Sequence, residues 1–200
     1  MKEMRVVLPS IERPKKLPVV LSRNEVRRLL KAPKLLKHRL VLAMLYGCGL
    51  RNFELCNLQL KDLDLERMML HIRQGKGRKD RYVPLCAMQV RGLRKYISAE
   101  RPVTWCFNGN DSKGGPVALS ARGVQWIVKE ARKHSGIQKE VTTHSLRHSY
   151  ATHLLEMGLD IMSVKDLLGH ADIQTTLTYL HVAQLGRQRP FSPLERLYDK

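Results

Sequence analysis

The chain has 200 residues, 43% of them hydrophobic, enough for one domain that buries about 70% of its unfolded surface without staples. Lysine and arginine number 36 against 18 aspartates and glutamates, a net charge of +18 and a pI near 10.2, which points to a polyanionic partner, nucleic acid above all. No run of about 18 apolar residues is present to span a bilayer, the N-terminus lacks a signal-peptide core, and Cys48, Cys56, Cys86 and Cys106 lie too far apart for a zinc framework or a dense disulfide scaffold, so they read as reduced, mostly buried thiols of a cytoplasmic protein.

Residues 1–20 carry Pro9, Pro14 and Pro18 among basic residues and read as an extended basic arm or linker. Ser22 followed by Glu25 is a capping box that opens a helix through "RRLLK". "LLKHRLVLAMLYGCGL" is apolar almost all round, the mark of a central core helix, and Gly47 and Gly49 end it. "RNFELCNLQL" follows as a short helix. The period then changes. "MMLHIRQGKGRKDRYVPL" holds two β-compatible runs around a turn built on Gly75 and Gly77, a hairpin over 68–85.

Helical patterning returns over 86–99. "TWCFNG" reads as a short strand, "SKGGP" as a loop, and "LSARGVQWIVKEARKHSG" as a helix capped by Ser120 and ended by Gly136. Three helices come next: "HSLRHSYATHLLEMG", amphipathic and closed by Gly158; "DIMSVKDLLG", between Asp160 and Gly169; and "DIQTTLTYLHV", capped by Asp172. Met157 and Met162 are assigned to the core. The tail over 185–200 is interrupted by Pro190 and Pro193 and holds an apolar cluster, "FSPLERLY". The fold class expected is mainly α (α+β), a helical domain over 21–184 with a small antiparallel sheet around the hairpin.

The histidines invite a metal reading. His144 and His148 are four apart and share a helix face, a spacing that can grip zinc. Ser145 stands where a zinc protease motif has glutamate, and Arg147 beside the ion would repel it. A phosphate suits these residues better. A guanidinium offers a planar fork of donors that stays charged, and two of them can hold both non-bridging oxygens of a phosphodiester. Arg147 is one candidate. Arg51 is the other, after a glycine-punctuated break at the head of a short helix, where backbone N–H groups also favour an anion. Glu54, three residues on, can face Arg51 and fix it.

"GCGLRNFEL", "GKGRKDRYVPL", "THSLRHSYATHLLEMG", "LLGH" and "TTLTYLHV", in that order from about Ser22 to Val182, resemble the tyrosine recombinases, the phage-integrase family. The ordered set, ending in a tyrosine nine residues after the "LGH" histidine, is a specific signal. The resemblance implies site-specific recombination of double-stranded DNA through a 3′-phosphotyrosyl intermediate, with no metal, nucleotide or other cofactor. It implies that Arg51 and Arg147 clamp the scissile phosphate and that Lys76 is the general acid for the leaving 5′ oxygen. His144 would assist proton transfer at the nucleophile, His170 would donate a hydrogen bond to the phosphate, and Tyr179 would be the nucleophile. Lys79 competes with Lys76 for its role, and Tyr150 and Tyr198 with Tyr179. His148 and His153 are given structural roles, and His181 a supporting place beside the nucleophile.

The family's members usually carry an N-terminal helical DNA-binding domain; here the chain opens on what looks like the linker, so that domain is expected to be absent. Thr143 stands where many relatives have proline. The resemblance also implies a homo-oligomer, a tetramer on DNA, with the tail either reaching a neighbouring protomer or folded on its own domain. A type IB topoisomerase and a catalytically silent DNA-binding regulator are the alternative readings. An RNA-binding module fits poorly, because only 6% of residues are aromatic and stacking platforms are scarce.

Overall fold

The computed structural model of the chain describes residues 18–73, 80–110, 116–180 and 182–183. The basic arm before residue 18, the hairpin turn with Gly75, Lys76, Gly77 and Lys79, His181 and the tail with Tyr198 lie outside the described residues.

Helix α2 (Leu36–Gly47) is the axis of the molecule. Leu40, Val41, Leu42, Met44 and Leu45 are all buried, so most of the helix circumference is covered, as its apolar stretch leads one to expect, while Arg39 stays exposed. Helices α1 (Arg23–Lys31), α3 (Asn52–Cys56), α4 (Ala87–Glu100), α5 (Ala121–Ser135) and α6 (Thr143–Glu156) pack around it. α1 begins at the expected capping box: Ser22 Oγ accepts from the Glu25 N–H at 3.2 Å, and Glu25 Oε2 accepts from the Ser22 N–H at 2.7 Å. α5 runs from a Ser120 cap to Gly136, which takes the left-handed conformation at φ +67°.

Three antiparallel strands, β1 (Leu63–Asp64), β2 (Met69–Ile72) and β3 (Arg81–Pro84), form a sheet in that order. Leu70 pairs with Val83 and His71 with Tyr82, which turns Leu70, Ile72 and Val83 to the core. The hairpin was legible in the sequence; its third strand was not. The strand expected at "TWCFNG" lies later. Cys106 and Phe107 are adjacent and both buried, which an alternating strand cannot manage, and pairing starts at β4 (Asn108–Asn110) against β5 (Pro116–Ala118). Trp105 makes only an isolated bridge to Gln59.

α6 departs from the amphipathic expectation. It buries polar as well as apolar positions, including Ser145, Arg147, Ser149 and Thr152, because it is wedged between α2 and α7 (Ile161–Leu168). Ser149 Oγ takes the Leu21 N–H at 2.9 Å and donates to the Ser145 carbonyl at 2.7 Å, which satisfies the hydroxyl inside. Met157 and Met162 are 70% and 51% exposed, so they are not core residues; they sit on the outward sides of the α6–α7 corner. Of the cysteines, Cys48, Cys56 and Cys106 are buried and Cys86 is exposed.

α7 begins where Asp160 Oδ1 accepts from the Ser163 N–H at 2.9 Å and ends at Gly169, at φ +62°. The last expected helix is one turn only, α8 (Gln174–Leu177), with Asp172 Oδ1 accepting from the Gln174 N–H at 2.9 Å. The chain then turns so that Tyr179 enters a second, smaller core with Tyr150, Ala151, Leu155, Val164 and Leu168. No described helix is long and apolar enough to cross a membrane.

Candidate active site

The site forms where the ends of α2 and α7 meet the flank of α6. A helix leaves its last carbonyls without internal partners, and they carry the negative end of the dipole. Two guanidiniums meet carbonyls at, or just past, these two helix ends. Arg147, on α6, donates through Nη1 to the Gly49 carbonyl and through Nη2 to the Leu168 carbonyl. Arg51 donates through Nη2 to the Gly169 carbonyl at 3.2 Å. Gly49 has to be glycine: its φ is +59°, and a Cβ there would lie 2.4 Å from Tyr150 Cδ1.

Glu54 holds the arginines together. Its Oε1 accepts from Arg51 Nη1 at 2.8 Å, and its Oε2 accepts from the Arg51 backbone N–H at 2.8 Å and lies 3.9 Å from Arg147 Nη1. Arg81, at the start of β3, grips both oxygens, at 2.9 and 2.8 Å, and its Nε donates to the Leu167 carbonyl at 2.8 Å. Burial alone would push the Glu54 carboxyl up. The hydrogen bonds and charge of Arg81, the Arg51 N–H and the Arg147 charge outweigh it and hold the carboxyl down to about 2. Burial, then the Arg51 charge, pushes the Arg147 guanidinium down to about 10, so it stays charged at neutral pH.

Tyr179 is 3% exposed, and its phenol lies 3.0 Å from His148 Nδ1. Burial raises its pKa, against the lowering pull of Arg147 and Arg51, so the phenol is protonated at neutral pH. The His170 ring stacks beside it, centroids 6.2 Å apart, and His170 Nδ1 lies 2.9 Å from the hydroxyl of buried Thr176. Burial first, then Arg147, Arg51 and Arg81, brings His170 down to about 3, so its ring is neutral. A neutral His170 offers an Nε2–H outward only if the Thr176 hydroxyl donates to Nδ1.

Of the residues singled out from the sequence, Arg51, Glu54, Arg147, His170 and Tyr179 converge here. His144 is exposed at the edge: its ring is 6.3 Å from that of His148, and it makes no hydrogen bond to Tyr179. Lys76 lies outside the described residues, between the ends of β2 and β3. Tyr150 is buried in the small core. His153 pairs with the Tyr46 hydroxyl at 2.8 Å, a structural contact. Sequence reasoning missed three neighbours. His148 shares a helix face with His144, a spacing weighed there only for metal binding. Thr176 stands three residues before Tyr179, one turn back. Nothing local marks Arg81. Among the described residues no three His, Cys, Asp or Glu side chains cluster as metal ligands.

The phage integrase family model matches residues 19–185. The chain is 42% identical over 171 residues to the tyrosine recombinase XerA of Thermococcus kodakarensis, a match covering 84% of this chain and 60% of that one. Its fold overlays the crystal structure of a XerA recombinase with a TM-score of 0.75 at 31% identity, covering 95% of this chain and 66% of the other. It overlays XerH bound to palindromic difH substrate in a post-cleavage complex with a TM-score of 0.73 at 28% identity, covering 84% of this chain and 51% of the other. The fold is that of a tyrosine recombinase catalytic domain, and the chain belongs to the phage integrase family. It spans about three fifths of the length of the curated relatives it matches, 61% and 60% for the first two.

Proposed function

We propose that residues 21–184 form a catalytic unit that cleaves and rejoins strands of double-stranded DNA in site-specific recombination. The observation that carries this reading is the meeting of Tyr179 with two guanidiniums that share Glu54 and the carbonyls ending α7. Tyr179 Oη attacks the scissile phosphorus, the bond to the 5′ oxygen breaks, and a 3′-phosphotyrosine remains. Arg51 and Arg147 take the two non-bridging oxygens, and a neutral His170 donates Nε2–H to one of them. Their positions are set before substrate arrives, so they stabilise the charge that builds up in the transition state by several kcal/mol. Lys76, between β2 and β3 in the sequence, gives the departing 5′ oxygen its proton. A histidine of α6 takes the phenol proton. Attack by the freed 5′ hydroxyl reverses the steps, so the ester itself conserves the bond energy and no nucleotide is consumed.

The net charge of +18 suits a DNA backbone, and a relative of similar fold, XerH, is bound to its difH substrate. The working form in this reading is a cytoplasmic homotetramer on DNA, its protomers joined through the tail.

The test uses a library of nicked duplexes of randomised sequence, with adducts captured on denaturing gels and sequenced. The wild-type chain should become covalently attached to a restricted set of sequences. Tyr179→Phe should form no adduct while still retarding DNA in a native gel. No adduct with the wild type, or equal adduct with Tyr179→Phe, would defeat the proposal.

A further inference from the structure

Two histidines of α6 are available to take the phenol proton, and they are not equivalent. His144 is exposed and makes no hydrogen bond to Tyr179. His148, one turn on, has its Nδ1 3.0 Å from the Tyr179 hydroxyl, with ring centroids 5.5 Å apart. His170 has its own Nδ1 engaged by Thr176 at 2.9 Å. A phenol O–H needs a lone pair to donate to, and among these three rings only His148 places a nitrogen on the hydroxyl at hydrogen-bond distance.

We propose that His148, rather than His144, is the catalytic group that accepts the Tyr179 proton during strand cleavage, an inference that rests on the strand-breaking reading above. As Oη bonds to phosphorus, its proton passes to His148 Nδ1. The bond from phosphorus to the 5′ oxygen breaks, and that oxygen is protonated separately by the other proton donor of the strand-breaking reading, Lys76. On rejoining, the 5′ hydroxyl gives its proton back to that donor as it attacks phosphorus, and the His148 imidazolium returns its proton to the leaving phenolate. The tautomer required is Nε2–H with Nδ1 bare.

The surroundings tie this role to substrate. His144 and Arg147 flank His148 on its own helix, and Tyr179 and His170 face it from the segment after α7; Arg51, Arg81 and Glu54 stand beyond Arg147. Burial first, then the charges of His144 and Arg147, brings the imidazole down to about 4 in the free protein, where it is a hydrogen-bond acceptor but a weak base. A phosphodiester seated between Arg51 and Arg147 offsets part of that positive field and raises the basicity of His148. Proton acceptance is therefore strengthened when DNA is bound, and the idle tyrosine stays neutral.

Two measurements test this. In the free protein, nitrogen NMR of labelled histidine should show His148 with its proton on Nε2 and an Nδ1 resonance that moves in Tyr179→Phe. A proton on Nδ1, or no response to Tyr179→Phe, overturns the inference without any DNA. On the nicked-duplex library, His148→Ala should slow adduct formation about 100-fold or more, the usual range for a lost general base. His148→Asn, whose Oδ1 can accept near the same point but cannot carry a proton at these pH values, should recover part of the rate. It should also lose the fall in rate at acid pH that imidazole protonation causes in the wild type. A His148→Ala rate within twofold of wild type, or full rescue by His148→Asn with an unchanged pH profile, rules out the proton-accepting role. If the wild type forms adduct and His148→Ala forms it within twofold of that rate, only this inference fails; if the wild type forms none, the strand-breaking reading fails and takes this role with it.

Discussion

The Glu54 carboxylate is gripped along both oxygens by Arg81, at 2.9 and 2.8 Å, although 27 residues separate them. One residue is on α3, the helix that follows Arg51, and the other is at the start of β3, so the pair joins that helix to the sheet. The Glu54 and Arg81 side chains are 5% and 8% exposed, and solvent screens the contact little.

Removing one partner strands a buried charge. Arg81→Met and Glu54→Leu should each lower unfolding free energy by about 3–5 kcal/mol, and the double variant should lose less than the sum. Denaturant melts of the four proteins form the cycle, and additive losses would show that the pair is not coupled.

The same carboxylate sets a pH dependence. Its folded pKa, about 2, lies below the ordinary 4.5, so its contribution is fully present above pH 4.5 and is lost as pH falls towards 2. The size is about 3 kcal/mol at neutral pH. Stability measured from pH 6 to pH 2 should fall less steeply in Glu54→Gln than in the wild type; parallel curves would remove Glu54 as the source.

Gly49 and Gly158 both have positive φ, +59° and +91°, but only Gly49 is crowded. Gly158→Ala should cost about 1–2 kcal/mol for the backbone alone. Gly49→Ala adds a Cβ against the Tyr150 ring and should cost about 2–5 kcal/mol, with a matching loss of adduct formation as the Arg147 acceptor shifts. Equal costs in chemical denaturation would mean that the ring yields easily.

In the proposed strand-breaking reaction, Thr176 is a positioning residue that acts on the phosphate through His170, whose Nδ1 its hydroxyl meets at 2.9 Å. Thr176→Val keeps the shape, removes the hydroxyl and frees the imidazole to carry its proton on Nδ1. Adduct formation should fall about tenfold, as one lost hydrogen bond allows, while Thr176→Ser should restore it. A Thr176→Ser variant as slow as Thr176→Val would assign the effect to packing.

Much of this architecture was readable before any coordinates. The Ser22–Glu25 box, the glycine stops at Gly136 and Gly169 and the apolar run of α2 act over one or two turns, where backbone geometry leaves few options. Arg51, Glu54, Arg147, His170 and Tyr179 were picked out as a set because their motifs keep a characteristic order and spacing. The burial of α6 on its polar side was not readable, because composition does not say that a helix will be enclosed by neighbours as well as backed by a core.

Residue order and local chemistry therefore specified the longer helices and most of their caps, the two strands β2 and β3, and a list of groups able to surround a phosphate, but not that the last helix stops after one turn. Which imidazole of α6 meets the phenol, which arginine straddles Glu54 and which hydroxyl orients His170 were decided by packing. Those contacts span 31, 27 and 6 residues, and each depends on the angle at which one element crosses or turns past another. Periodicity places a side chain on a face of its own helix; it takes the assembled neighbours to say what that face touches.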